Sequence, residues 1–156
     1  GAAFDIATSF DVLYSLPDPV EQAAVREMFR VLRPGGWAII NTAAMDMLKG
    51  DHSVLGHEVR RYSRARLASL VAGAGFTIDR LTYTNAVLFP AIATVRAYQR
   101  WRGLSEEGEA DKDFSVPPAP VNGLLKAALR MESLWVNAGI DNPFGSSLLC
   151  LARKPG

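Results

Sequence analysis

Both histidines of this chain, His52 and His57, lie in one stretch, Ala43 to Tyr62, together with the pair Arg60-Arg61. An imidazole titrates near neutral pH, so His57 is the candidate general base, ready to take a proton from a bound reactant. The alternative is an exposed loop histidine. Adjacent guanidinium groups can grip an acidic ligand group through paired hydrogen bonds. The alternative there is a solvated pair ahead of a helix. Proton transfer and anion recognition are therefore the chemistry in reach. With two histidines and one cysteine, Cys150, zinc-ligand spacing is absent and no disulfide can form within the chain.

Those groups need a frame. Phe4–Phe10 has the length and apolar content of a strand buried on both faces, and Asp11 to Leu16 leads away from its carboxyl end. Asp18-Pro19-Val20-Glu21 predicts a helix start, with Asp18 as cap, Pro19 in the first turn and Glu21 completing a capping box. Ala24, Val25, Met28, Val31 and Leu32 then share one stripe, and Arg33 suits the last turn. Pro34-Gly35-Gly36 predicts a tight reversal before a second strand, Trp37–Thr42. Two parallel strands joined by a helix form a crossover, and ligands of such sheets bind beyond the strands' carboxyl ends. Here those ends are Ser9-Phe10-Asp11 and Asn41-Thr42-Ala43. The alternative is a pair of ordinary loops.

The connection 43–62 reads as a lid or binding loop. Ser63 predicts the cap of a helix that buries Leu67, Leu70 and Val71 and ends at Gly73 and Gly75. Phe76–Thr84 reads as a strand near a sheet edge. Pro90 predicts the start of an apolar helix carrying Ile92, Val95, Ala97, Tyr98 and Trp101; it covers a greasy ligand, touches a membrane surface, or packs as a core or interface helix. The segment 103–120 combines acidic residues with Pro117-Pro118-Ala119-Pro120 and reads as a flexible connector. Asn122 predicts the cap of a further helix with Leu124, Leu125, Ala128, Met131 and Trp135 on one face and Gly139 at its end. Ser146–Ala152 is the last strand, expected antiparallel, and Arg153 to Gly156 leaves the fold. The sum is one α/β domain over 1–156, helices on both faces of a mostly parallel sheet, with a helical insertion at 85–139.

Seventeen basic and sixteen acidic residues give a net charge of +1, with no basic patch for nucleic acid. No apolar run is long enough to span a bilayer, and no signal peptide is visible. A single cysteine in an apolar run fits a reducing, cytoplasmic location.

Several of these segments, taken together, resemble a known family. Phe4-Asp5-Ile6 through Asp11-Val12-Leu13, Met28 through Gly36 with its Leu-Arg-Pro-Gly-Gly turn, and Gly73-Ala74-Gly75-Phe76 are similar to the C-terminal half of class I S-adenosylmethionine-dependent methyltransferases. His57-Glu58-Val59-Arg60-Arg61-Tyr62-Ser63 resembles the loop after the fifth strand in a small-molecule branch of that family. The resemblance covers nearly the whole chain. It implies a partial Rossmann-like sheet holding strands four to seven, the seventh antiparallel between the fifth and sixth. The family's glycine-rich loop and its ribose-binding acid are not in this sequence, and Tyr14-Ser15 stands where relatives often show Glu-His.

The resemblance implies S-adenosylmethionine as cofactor, with Ser9, Phe10 and Asp11 at its methionine and sulfonium end. Arg60, Arg61 and Tyr62, with Asn85 and Phe89, would face the methyl acceptor, a small or lipid-like molecule. The alternative function is a non-catalytic, truncated module that folds as a homodimer or completes its site with a partner. With the first strand of the family's sheet absent, Phe4–Phe10 becomes an apolar edge that a second copy is expected to cover.

Overall fold

A computed structural model describes residues 2–45, 59–102 and 118–156. Four strands form one sheet: β1 (Phe4–Phe10), β2 (Leu32–Ala43), β3 (Thr77–Thr84) and β4 (Ser147–Arg153). Their spatial order is β1-β2-β4-β3. β1 and β2 run parallel, and β4 lies antiparallel between β2 and β3, where the resemblance puts it. Helix α1 (Asp18–Val31) crosses from β1 to β2, and α2 (Arg64–Gly73) leads into β3. Helices α3 (Phe89–Arg102) and α4 (Ala119–Asn137) come between β3 and β4 in the chain.

The core fills the space between α1, α2 and one face of the sheet. Val25, Leu67 and Val71 meet Ala38, Ile40, Leu148 and Cys150, all fully buried. Each fully buried valine, leucine or isoleucine among them contributes about 1.5–3 kcal/mol. Phe29 of α1 meets Phe76 edge to face, with ring centroids 5.0 Å apart. Cys150 is a buried, free thiol, as its apolar surroundings predict.

β1 departs from the expectation of burial on both faces. It is an edge strand, and Phe4, Ile6 and Phe10 are each more than half exposed. They share the face opposite α1, because Ala7 and Ser9 take the covered side beside Ala38 and Ile40.

The helix starts also correct the sequence reading. Pro17, not Asp18, occupies the cap of α1, and no side chain caps it. The carbonyl of Pro17 accepts from the amides of Val20 and Glu21, which frees both acids for tertiary contacts. Pro118 likewise caps α4, which places Asn122 inside the first turn rather than ahead of it. Ser63 does cap α2, its Oγ accepting from the Arg66 amide at 3.2 Å.

Pro34-Gly35-Gly36 does not separate helix from strand; β2 begins at Leu32 and carries it as an irregularity. Between the pairs Phe4–Leu32 and Ile6–Trp37, β1 advances two residues and β2 five. Gly35 has φ +79°, and a Cβ on Gly36 would lie 2.9 Å from the Arg33 carbonyl oxygen, so both positions need glycine. Nor does the C-terminus simply leave the fold. Lys154 Nζ donates to the Phe29 and Leu32 carbonyls at 2.7 and 2.8 Å, closing the C-terminal end of α1.

Candidate functional site

β1, β2 and β3 all point their carboxyl ends the same way. Just past each end stands a non-glycine residue with positive φ: Asp11 at 53°, Met45 at 59° and Asn85 at 62°. They are the non-glycine residues of that kind among the described residues. Left-handed backbone is tolerated by Asp and Asn and is costly for Met. Such strain collects where a fold holds a ligand or a switch. Sequence reading found Asp11 and Asn85 but missed Met45, because a methionine carries no turn signal.

Two of the strand ends are tied directly. The Asp11 amide donates to the Asn41 carbonyl at 3.0 Å, and the Asn41 amide group donates to the Asp11 carboxylate at 3.3 Å. Phe10 and Asp11 stay exposed, and Ser9 is half-buried. Thr42, beside them, buries a hydroxyl with no hydrogen-bond partner among the described residues.

His57 lies outside the described residues. Residues 59–62, which follow it, are held firmly. The Val59 and Arg60 amides donate to the Tyr14 carbonyl at 3.0 and 3.2 Å, and Tyr62 pairs with Ala44 as a short parallel bridge. Tyr62 is fully buried, and its hydroxyl donates to Glu21. Burial, then that hydrogen bond and the nearby negative charge, raises the phenol's pKa above its ordinary value. Arg60 reaches the Leu16 carbonyl at 2.6 Å, Asp18 at 2.6 Å and Glu21 at 3.3 Å. Arg66 completes the cluster, 3.1 Å from both Asp18 and Glu21. The acids read as helix caps therefore tie residues 60–66 to the start of α1. Arg61 is buried, and its guanidinium donates to the Ala44 carbonyl at 3.3 Å.

Asn85 and Phe89 stand at the β3 end. The Asn85 amide donates to Ser147 Oγ at 3.3 Å, and the Phe89 ring is 5.1 Å from that of Phe144. A second buried network, unseen in the sequence, holds this corner. Glu132 of α4 accepts from the Val87 amide at 3.1 Å and the Asn142 side chain at 3.2 Å. Asn142 also donates to the Tyr83 carbonyl at 2.9 Å and accepts from Trp135 Nε1 at 3.0 Å. The structure thus brings Ser9, Phe10 and Asp11 to one strand end and Arg60, Arg61 and Tyr62 to the neighbouring crossing, with Asn85 and Phe89 at a third strand end.

The family model of the methyltransferase domain matches residues 1–81 of the 156, and the chain belongs to that family. Solved structures with the same fold include the [4+2]-cyclase SpnF, 22% identical with a TM-score of 0.53, covering 99% of this chain and 50% of that one. A candidate methyltransferase of Bacillus halodurans C-125 is 17% identical with a TM-score of 0.52, covering 98% of this chain and 70% of that one. Phosphoethanolamine N-methyltransferase 2 of Haemonchus contortus, solved with S-adenosyl-L-methionine, is 17% identical with a TM-score of 0.50, covering 98% and 34%. The chain spans about half the length of the first of these. No curated protein gives a significant match to the sequence.

Proposed function

We propose that this chain is the acceptor-side, C-terminal part of an S-adenosylmethionine-dependent methyltransferase acting on a small or lipid-like molecule in the cytoplasm. The observation that carries the reading is the alignment of three strained residues, Asp11, Met45 and Asn85, at the carboxyl ends of three parallel strands. Family membership and the solved relative that holds S-adenosylmethionine support the choice of ligand. The groups at the β1 end suit the methionine part of that cofactor. Ser9 offers a hydroxyl, Phe10 an exposed ring and Asp11 a carboxylate already steadied by Asn41. When bound, the cofactor supplies an activated methyl carbon for in-line displacement. The protein's work is then positioning and, where the acceptor must lose a proton, general-base help from His57. Asn85 and Phe89 line the acceptor side. Arg60, Arg61 and Tyr62, expected from the resemblance to face the acceptor, engage Asp18, Glu21 and the Ala44 carbonyl instead, so in this reading they position that side rather than touch the acceptor. A helical insertion over 85–139 walls the same side, and a glycine-rich strand–helix unit upstream completes the cofactor cradle.

Calorimetric titration of S-adenosylmethionine and S-adenosylhomocysteine tests the reading. Binding that Phe10 and Asp11 substitutions weaken supports it, and an absence of binding in the complete gene product refutes it.

A second reading has its own observation. The exposed apolar residues of β1 are an open strand edge, and such edges recruit another chain. In this reading the 156 residues form a homodimer that covers the Phe4–Phe10 edge, with no turnover by this chain alone.

A further inference from the structure

We infer that the groove between α1 and α2 is a binding site for a small organic carboxylate. The two helices leave a cavity of about 420 Å³ between them, within the size range of small-ligand sites. Asp18, Glu21 and Arg26 line it from α1, and Arg66, Ser69 and Leu70 line it from α2. Gly73 and Ala74, at the end of α2, complete the wall with side chains too small to fill it.

Charge selects the ligand. Asp18 and Glu21 are matched by Arg60 and Arg66, at 2.6 to 3.3 Å. Glu27, further along α1, is held by Arg30 at 2.6 Å. Arg26 is left with a neutral partner. Its guanidinium donates to Gln22 Oε1 at 3.0 Å, and no acid pairs with it among the described residues. The cavity therefore carries one unmatched positive charge, and the Ser69 hydroxyl lines the facing helix. A carboxylate supplies one negative charge and the two oxygens that a guanidinium grips. A phosphate dianion brings a second charge with no cation left to match it. Leu70 and Ala74, both half-buried, give the body of the ligand an apolar seat. The site takes no part in the methyl-transfer reading, and its test uses neither cofactor nor acceptor.

Titration of the full chain with benzoate, followed through its backbone amide NMR signals, is the experiment. A dissociation constant of about 1 mM is expected for so small a probe, with shifts concentrated in residues 18–26 and 66–74. Benzamide, the same shape without the charge, should bind at least about tenfold more weakly, and so should inorganic phosphate. Arg26→Gln should weaken benzoate about tenfold. Gly73→Leu should abolish its binding. Nothing lies within 4 Å of a Cβ added there, so the new side chain occupies the groove without displacing backbone. Both positions are exposed, and both variants should melt within about 2 °C of the parent. Benzoate shifts that fall outside the groove, or none at about 20 mM, would overturn the inference. So would benzamide or phosphate binding as tightly as benzoate, or either variant binding benzoate as the parent does.

Discussion

The Tyr62 hydroxyl donates to the Glu21 carboxylate across 41 residues of sequence, and both side chains are buried. This contact joins the first turn of α1 to the segment that returns from the loop after β2. Arg60 and Arg66 balance the buried charge. Replacing Glu21 with Gln should cost about 3 kcal/mol, because it unbalances a buried ionic cluster. Tyr62→Phe should cost about 1–2 kcal/mol. In urea unfolding the double variant should lose less than the sum of the two by at least about 0.5 kcal/mol. Additive losses would mean that the two groups do not interact.

Alkaline pH should weaken the fold in two stages. Burial pushes the Cys150 thiol up from its ordinary value to about 11, and burial with the Glu21 hydrogen bond raises Tyr62 further. A proton held more tightly when folded gives stability that is fully present at low pH and lost as pH rises. Cys150 therefore loses its contribution between about pH 9 and 11, and Tyr62 begins to lose its own above about pH 10. Urea midpoints from pH 8 to 10.5 should fall less steeply in Cys150→Ala, and Tyr62→Phe should be flatter above pH 10. Profiles parallel to the parent in both variants would contradict the assignment.

Two glycines should respond in opposite directions. A Cβ on Gly145 would lie 2.2 Å from the Thr84 carbonyl oxygen, so Gly145→Ala must displace backbone next to Asn85. A loss of more than about 2 kcal/mol is expected. Gly123 sits inside α4, with nothing within 4 Å of an added Cβ. Gly123→Ala should stabilise by about 0.5–1 kcal/mol, read as a rise in thermal midpoint.

The open edge of β1 predicts self-association. Light scattering on the 156 residues should report a dimer, and Ile6→Lys, placing a charge on the exposed apolar face, should shift it to monomer. A monomeric parent at tens of micromolar would remove the dimer reading while leaving the cofactor reading intact.

The strands themselves were legible because runs such as Trp37–Thr42 and Ser146–Ala152 carry their burial in their composition, whereas the sheet order came from the family resemblance and not from any run of residues. Ser63 was legible as a cap because its side chain acts three residues away. Asp18, Glu21 and Asn122 misled as caps because prolines took the cap positions. Capping signatures are local, while Arg60, Arg66 and Tyr62 hold the two acids from 39 to 48 residues away. Glu132 was invisible because nothing near it in the chain foretells the Val87 amide and the Asn142 side chain that accommodate a buried carboxylate. Strain at Met45 leaves no mark on composition at all.

Calorimetric titration of the complete gene product with S-adenosylhomocysteine, in parent and Phe10→Ala,Asp11→Ala forms, tests most directly whether the carboxyl end of β1 holds the cofactor. One-to-one binding is expected in the parent and at least about tenfold weaker binding in the variant, with the thermal midpoint of the unliganded protein little changed at Phe10. Parent protein that takes up no S-adenosylhomocysteine, or a variant that binds it equally well, would contradict the assignment.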